Sequence, residues 1–426
     1  MERNDPRYQA YVEILKEELI PAMGCTEPIA LAYAAAKARE VLGVLPDSVQ
    51  LQVSGSIIKN VKSVIVPNTG HLKGMEAAVA AGIIAGSAEK EPEVISEVSE
   101  EKKSAIRDYL QTVPITIEHT EQGHVFDIVV TERCGQDYAR VRIADYHTNI
   151  CRIEKNGTVL YEVPLLDETV QEDARADRSL LNMQDIWDFA ETADLRDVAD
   201  LLERQIRYNN AIAEEGLLGD YGANIGRVLL TTYGNDVSNR AKAKAAAGSD
   251  ARMNGCELPV IINSGSGNQG ITCSVPLIEY AKELHSGKEK LYRALIISNL
   301  VAIHEKTGIG TLSAYCGAVS AGAGAGAGIV YLCGDGYQAA IHTVVNALAI
   351  VSGIVCDGAK ASCAAKIASS VDAALLGYNM YKCNQEFKGG DGIVMKDIET
   401  TIKGIGRLGK DGMRQTNEEI IRLMMS

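Results

Sequence analysis

Residues 307–333 read TGIGTLSAYCGAVSAGAGAGAGIVYLC, and neither this run nor the next, 336–356, holds a charged side chain; only Asp335 stands between them. A pair of buried, closely packed helices explains both runs, because alternating glycine and alanine let backbones approach. A transmembrane hairpin is the competing reading, but the first run is only weakly apolar and basic flanks are lacking. The stretch therefore fixes a helical domain whose core is lined by small residues.

Working outward, nearly everything after residue 180 has helical period, LRDVADLLERQIRYNNAIAEE most clearly. Tyr8, Tyr11, Val12, Leu15 and Leu19 predict a first helix, and IALAYAAAKAREVL after Pro28 a second. From about residue 46 the period changes to two: Val49, Leu51 and Val53 alternate, as do VPITIEH, HVFDIVVTE, YARVRIADY and TNICRIE, with one helical run, KGMEAAVAAGIIAG, among them. The acidic stretch LLDETVQEDARADRS, residues 165–179, has linker composition. The expected fold is α+β: a mostly helical catalytic domain, residues 1–45 and 171–426, interrupted by a smaller α+β domain, residues 46–170.

At 426 residues the chain exceeds one compact core. Its 42 basic against 56 acidic side chains give −14, which disfavours nucleic acid and anionic membranes and leaves a small molecule as the expected partner. The charged N-terminus, MERNDPRYQAYVEILKEEL, is unlike a signal peptide, so the expected compartment is the cytoplasm. Disulfides are then not expected, and the ten cysteines are either small hydrophobes or metal and redox groups.

Four segments stand out. In GCTEP, residues 24–28, Thr26 as a cap before Pro28 would put Cys25 at the positive end of a helix, where a thiolate is favoured; Cys25 is then a ligand, base or nucleophile, or else a plain turn cysteine. In NSGSGNQG, residues 263–270, the N–H groups of Gly267, Asn268 and Gln269 can face an anion such as a carboxylate. The same loop, with Lys242 or Lys244 upstream, also suits a pyridoxal-phosphate enzyme. Cys316 precedes the glycine-alanine helix, where a bulky inorganic cofactor could approach the backbone. Finally, GIVCDGAKASC, residues 353–363, holds Cys356 and Cys363. With Cys316 they make three thiolates, the composition of an iron–sulfur cluster with one open iron, or else scattered core cysteines. IVPNTGHLKG, residues 65–74, is a loop with His71 and Lys73 that could close over a substrate, hold a regulatory amino acid or simply connect strand to helix.

GIVCDGAKASC and TGIGTLSAYCGAVSAGAGAGAG resemble the cluster-binding segments of iron–sulfur L-serine dehydratases. The whole chain, with GCTEPIALAYAAA and NSGSGNQGI, resembles the L-cysteine desulfidase family, also called UPF0597. The resemblance implies a [4Fe–4S] cluster on Cys316, Cys356 and Cys363 and a carbon–sulfur lyase that converts L-cysteine to sulfide, ammonia and pyruvate. Cys25 becomes the candidate base or exchangeable fourth ligand, and Thr26, Glu27, Ser266, Asn268 and Gln269 the candidates for holding the substrate. Two departures from the serine dehydratases stand out: Cys356 and Cys363 are closer together, and the tail EEIIRLMMS has no cysteine to offer as fourth ligand. The alternatives are an L-serine dehydratase of the same type, a pyridoxal-phosphate lyase, and a non-catalytic amino-acid sensor. A Gly/Ala-rich helical domain also invites homo-oligomers.

Overall fold

The computed structural model describes residues 1–24, 26–120, 124–145, 147–165, 176–310 and 313–425. Helix α1 (Pro6–Glu18) starts where Asp5 accepts the backbone N–H of Arg7 and Pro6 needs no N–H partner. Strand β1 (Pro21–Met23) and helix α2 (Thr26–Leu42) follow. Next come β2 (Ser48–Val53), α3 (Gly55–Val61), α4 (Gly74–Ala85), α5 (Glu100–Thr112), β3 (Ile115–His119), β4 (Asp127–Cys134), β5 (Asp137–Ala144), β6 (Ile150–Lys155) and β7 (Thr158–Glu162).

The last six strands form one mixed sheet in the order β3-β2-β4-β5-β6-β7, with β2 parallel to β3 and every other pair antiparallel. Strand β2 buries Val49, Leu51 and Val53 and leaves the residues between them half-exposed, as its alternation predicts. Strand β7 lies at the sheet edge and is exposed throughout. It therefore carries no burial pattern for a sequence reading to find.

The helical part comprises α6 (Met183–Thr192), α7 (Ala199–Leu218), α8 (Ile225–Tyr233), α9 (Val237–Met253), α10 (Gly267–Glu283), α11 (Lys288–Ile309), α12 (Gly317–Cys333), α13 (Tyr337–Val351), α14 (Ser362–Lys382), α15 (Ile398–Arg407) and α16 (Arg414–Met425). A short strand β8 (Pro259–Ile261) pairs antiparallel with β1. Helix α12 lies at the centre, and its glycines are what allow this. A Cβ at Gly324 or Gly328 would run into the backbone of α11 at Ser298 or Ala294, and one at Gly322 or Gly326 into α14 at Ser370 or Ala374. Residues four apart share a helix face, so each pair of glycines opens one face to one neighbour. Among the described residues no helix is long and apolar enough to cross a membrane.

Two main cores result. One gathers α1 and the helices from α6 onward other than α8 and α16; the other gathers the sheet with α3, α4 and α5. The second core also takes the buried alanines of α2, Ala30 to Ala38, although the sequence groups residues 1–45 with the helical domain. The reason is that α2 is apolar on most sides, and its alanines fit against the tight Gly82 turn of α4, where a Cβ would strike the Ala32 carbonyl.

Candidate functional site

Tyr315 and Val355 form an isolated antiparallel bridge, closed by hydrogen bonds from Cys316 N to Ile354 O (3.1 Å) and from Cys356 N to Ala314 O (2.6 Å). Side chains alternate across such a ladder, so Tyr315 points one way, into a hydrogen bond with Ser352 Oγ (2.9 Å), and Cys316 and Cys356 share the other face. Cys316 is the N-cap of α12. Cys363, in the first turn of α14, donates its thiol to Gly358 O (3.4 Å). Burial pushes the Cys316 thiol up to about 12, and the neighbouring Cys356 and Cys363 add to the shift. Burial raises Cys363 as well, with Cys356 contributing. Cys316 and Cys363 thus both feel the Cys356 sulfur, and these two thiols resist ionising. Among the described residues, however, no three His, Cys, Asp or Glu side chains gather in the manner of a site for a metal ion.

Cationic side chains surround the thiols. Lys366 binds Val355 O (2.9 Å) and Asp357, which also pairs with Lys360 (3.0 Å). Burial raises the Asp357 carboxyl, but these two ammonium groups outweigh it and hold the group below its ordinary value. Lys59 of α3 donates to Asn417 Oδ1 of α16 (2.7 Å) and Ser313 O (3.3 Å); burial lowers its pKa, while Cys356, Asp357 and Cys316 oppose the shift. Burial likewise brings Lys306 down to about 8 against the opposing pull of Cys356 and Cys316. The Asp-Gly turn after Cys356 lies directly on α3: Gly358 has φ +91°, and a Cβ there would overlap the Lys59 carbonyl. Only glycine meets both demands.

The polar loops adjoin this face. Asn209 of α7 satisfies both backbone groups of Ile261, and Asn263 is held by Asn299, which pairs in turn with Gln205. This buried amide network fixes the start of the NSGSGNQG loop. Backbone hydrogen bonds between Asn263 and Ser266 close the turn, with Ser266 as N-cap of α10. Gln269, in the first turn of α10, lies against Gly317: a Cβ on Gly317 would come within 2.5 Å of its Cδ. The loop therefore meets the thiol face one residue after Cys316.

Arg252 of α9 joins this loop to GCTEP. It donates to Gly24 O (2.8 Å) and to Asn268 Oδ1 (3.4 Å), and a Cβ on Gly267 would overlap its guanidinium. Pro67 and His71 of the IVPNTGHLKG loop reach the same region, Pro67 beside Gly24 and His71 beside Gly255. Thr26 is the first residue of α2, not its cap, and its Oγ1 donates to Glu27 (3.3 Å), which also accepts from Asn60 of α3 (3.1 Å). Cys25 lies outside the described residues.

The pyridoxal-phosphate alternative loses its lysines. Lys242 pairs with Asp372 (2.6 Å) and Lys244 with Glu214 and Glu279. Burial would lower the pKa of Lys244, but its two carboxylates raise it instead, the opposite of what a Schiff-base amine needs. Cys273 is fully buried beside Ala302 and Ala321, and Cys333 lies at the far end of α12, about 25 Å along the helix from Cys316. Neither competes with the three thiols.

A family model described as serine dehydratase alpha chain matches residues 74–422, which spans the thiols, the polar loop and Arg252. The chain belongs to the serine dehydratase alpha chain family. It is also 61% identical to a UPF0597 protein of Desulfitobacterium hafniense, over all of this chain and 99% of that one. UPF0597 proteins of Lachnoclostridium phytofermentans and Treponema denticola are 52% and 46% identical, over 98% and 100% of this chain and all of each relative. As a member of the serine dehydratase alpha chain family, the protein is of a lyase type. Lys59, Arg252 and the Asn209–Asn263–Asn299 network are the site residues that sequence reasoning missed. Locally each reads as an ordinary polar or charged position, so the sequence carried no signal for them.

Proposed function

We propose that the protein is an iron–sulfur lyase that eliminates the β-substituent of a small L-amino acid, with L-cysteine giving sulfide, ammonia and pyruvate. The observation that carries this reading is the 314–316 and 354–356 pairing, which sets Cys316 and Cys356 on one face, near Cys363 and beside Gln269. The thiols suit a cationic group: Cys316 and Cys363 are costly to ionise alone, and a bound metal replaces their protons. In a [4Fe–4S] cluster each cysteine binds its own iron, so the donors need not meet at one ion as they do around a single metal. Cys316, Cys356 and Cys363 would hold it. When bound, such a cluster supplies a Lewis-acidic iron with an open position and an affinity for sulfur.

The chain's own residues do the remainder. Ser266, Asn268 and Gln269, together with Thr26 and Glu27, are the residues assigned to orient the amino acid. Cys25, which follows Gly24 in the sequence, is the candidate acceptor of the Cα proton or exchangeable fourth ligand of the cluster. Lys59 and Lys306 offset negative charge at the thiol face. Loss of the Cα proton and the β-thiol leaves aminoacrylate, which water converts to ammonia and pyruvate. Nine free cysteines among the described residues suit a reducing compartment, and the reading assigns the reaction to the cytoplasm.

Dehydration of L-serine is the second reading, favoured by the description of the matching family. Protein reconstituted anaerobically with iron and sulfide is expected to release sulfide and pyruvate in equal amounts from L-cysteine, and to stop on exposure to air. Pyruvate from L-serine alone would transfer the assignment to the dehydratase, and binding of either amino acid without product would leave a sensor.

A further inference from the structure

We propose that Arg252 anchors the substrate's α-carboxylate, with Gln269 facing the α-ammonium group, so that the site selects zwitterionic α-amino acids over simple amines. The inference deepens the lyase reading and rests on it for the identity of the site. Arg252 is 8% exposed, and no ion pair links it to a carboxylate among the described residues. Its two hydrogen bonds go to uncharged oxygens, Gly24 O and Asn268 Oδ1, and its Nε has no partner. A buried guanidinium left without an anion is costly, and its planar fork matches a carboxylate.

A second, independent observation lies beside it. Gln269 is 6% exposed, and its Oε1 also lacks a partner, although a buried amide oxygen normally finds one. Gln269 sits two residues after Gly267, which packs on Arg252, and its carboxamide lies against Gly317, next to Cys316. One unpaired donor group, one unpaired acceptor and the thiol face therefore follow one another along the start of α10. An amino acid bound with its carboxylate at Arg252 and its ammonium at Gln269 turns its β-substituent toward the cysteines. Backbone N–H groups of the first turn of α10 supplement the carboxylate contact.

The test uses the full chain and L-alanine, which has both charged groups and no leaving group, against ethylamine, which lacks the carboxylate. Calorimetry on wild-type protein is expected to show binding of L-alanine at least about tenfold tighter than ethylamine. Arg252→Met should lose that discrimination, weakening L-alanine about tenfold or more and leaving ethylamine unchanged; Arg252→Lys should lie between. In cluster-loaded enzyme the same variants should raise KM for L-cysteine more than they lower kcat. If Arg252→Met unfolds, the comparison passes to Arg252→Lys and Gln269→Leu, the latter weakening both ligands. Equal weakening of both ligands in an arginine variant, or unchanged L-alanine affinity, would overturn the proposal, as would wild-type protein that does not prefer L-alanine. Carboxylate-dependent binding without turnover would leave the inference standing and remove the lyase reading; turnover with an unchanged KM in Arg252→Met would do the reverse.

Discussion

At the scale of single residues, Gly358 bears the most on the thiol site. Its positive φ and its contact with the Lys59 carbonyl fix the direction of the chain between Cys356 and Cys363. Gly358→Ala is expected to cost about 1–3 kcal/mol in backbone strain alone, and more because the Cβ must push α3 away. Thermal melts should show a lower Tm together with weaker iron uptake. Gly353→Ala, where a Cβ would meet nothing within 4 Å, is the control and should leave both unchanged. An equal effect of the two substitutions would show that the turn does not depend on its contact with α3. The sequence grouped Cys316, Cys356 and Cys363 as three thiolates near helix starts and through the family resemblance, and the pairing of 314–316 with 354–356 adds that Cys316 and Cys356 share one face. Arg252 and Lys59 were not legible: in GSDARMNG and SIIKNV each reads as an ordinary solvated charge, and only the packing of distant helices buries it.

At the scale of elements, the start of α8 is held by a buried carboxyl group in α9. Asp250 is fully buried; its Oδ2 accepts the Ile225 N–H at the start of α8 (2.7 Å), while Oδ1 has no partner. Burial pushes its carboxyl up to about 6, against the N–H groups of Ile225, Ala223 and Gly226. A carboxyl with a raised folded pKa gives its full stabilisation below the unfolded value of 3.8 and loses it as pH rises through about 6. Asp250→Asn should therefore be more stable than wild type at neutral pH, by about 1–3 kcal/mol, with the difference closing in acid. Urea melts across that range test it; a difference independent of pH would contradict it. Helix α12 was readable in outline because its alternating glycines have no other use than close approach. Strand β7 was not, since nothing covers either face to impose alternation.

At the scale of the whole molecule, the site lies where the two main cores meet. Helix α3 comes from the sheet's side and α12 and α14 from the helical side, while α16 packs on α3, where Lys59 holds it through Asn417. The change of period near residue 46 revealed where the six-stranded sheet begins. It could not reveal that α2 packs with that sheet, because an alanine-rich helix shows no preferred face. The 315–355 bridge was also beyond sequence reasoning: forty residues separate its partners, and neither flank has strand alternation. The central claim, that these cysteines together hold the cluster, is tested most directly by iron and acid-labile sulfide content after anaerobic reconstitution of wild type and of Cys316→Ser, Cys356→Ser and Cys363→Ser. The account predicts about four of each per chain in wild type and a large loss in every variant. A full complement in any one variant, or none in wild type, would contradict it.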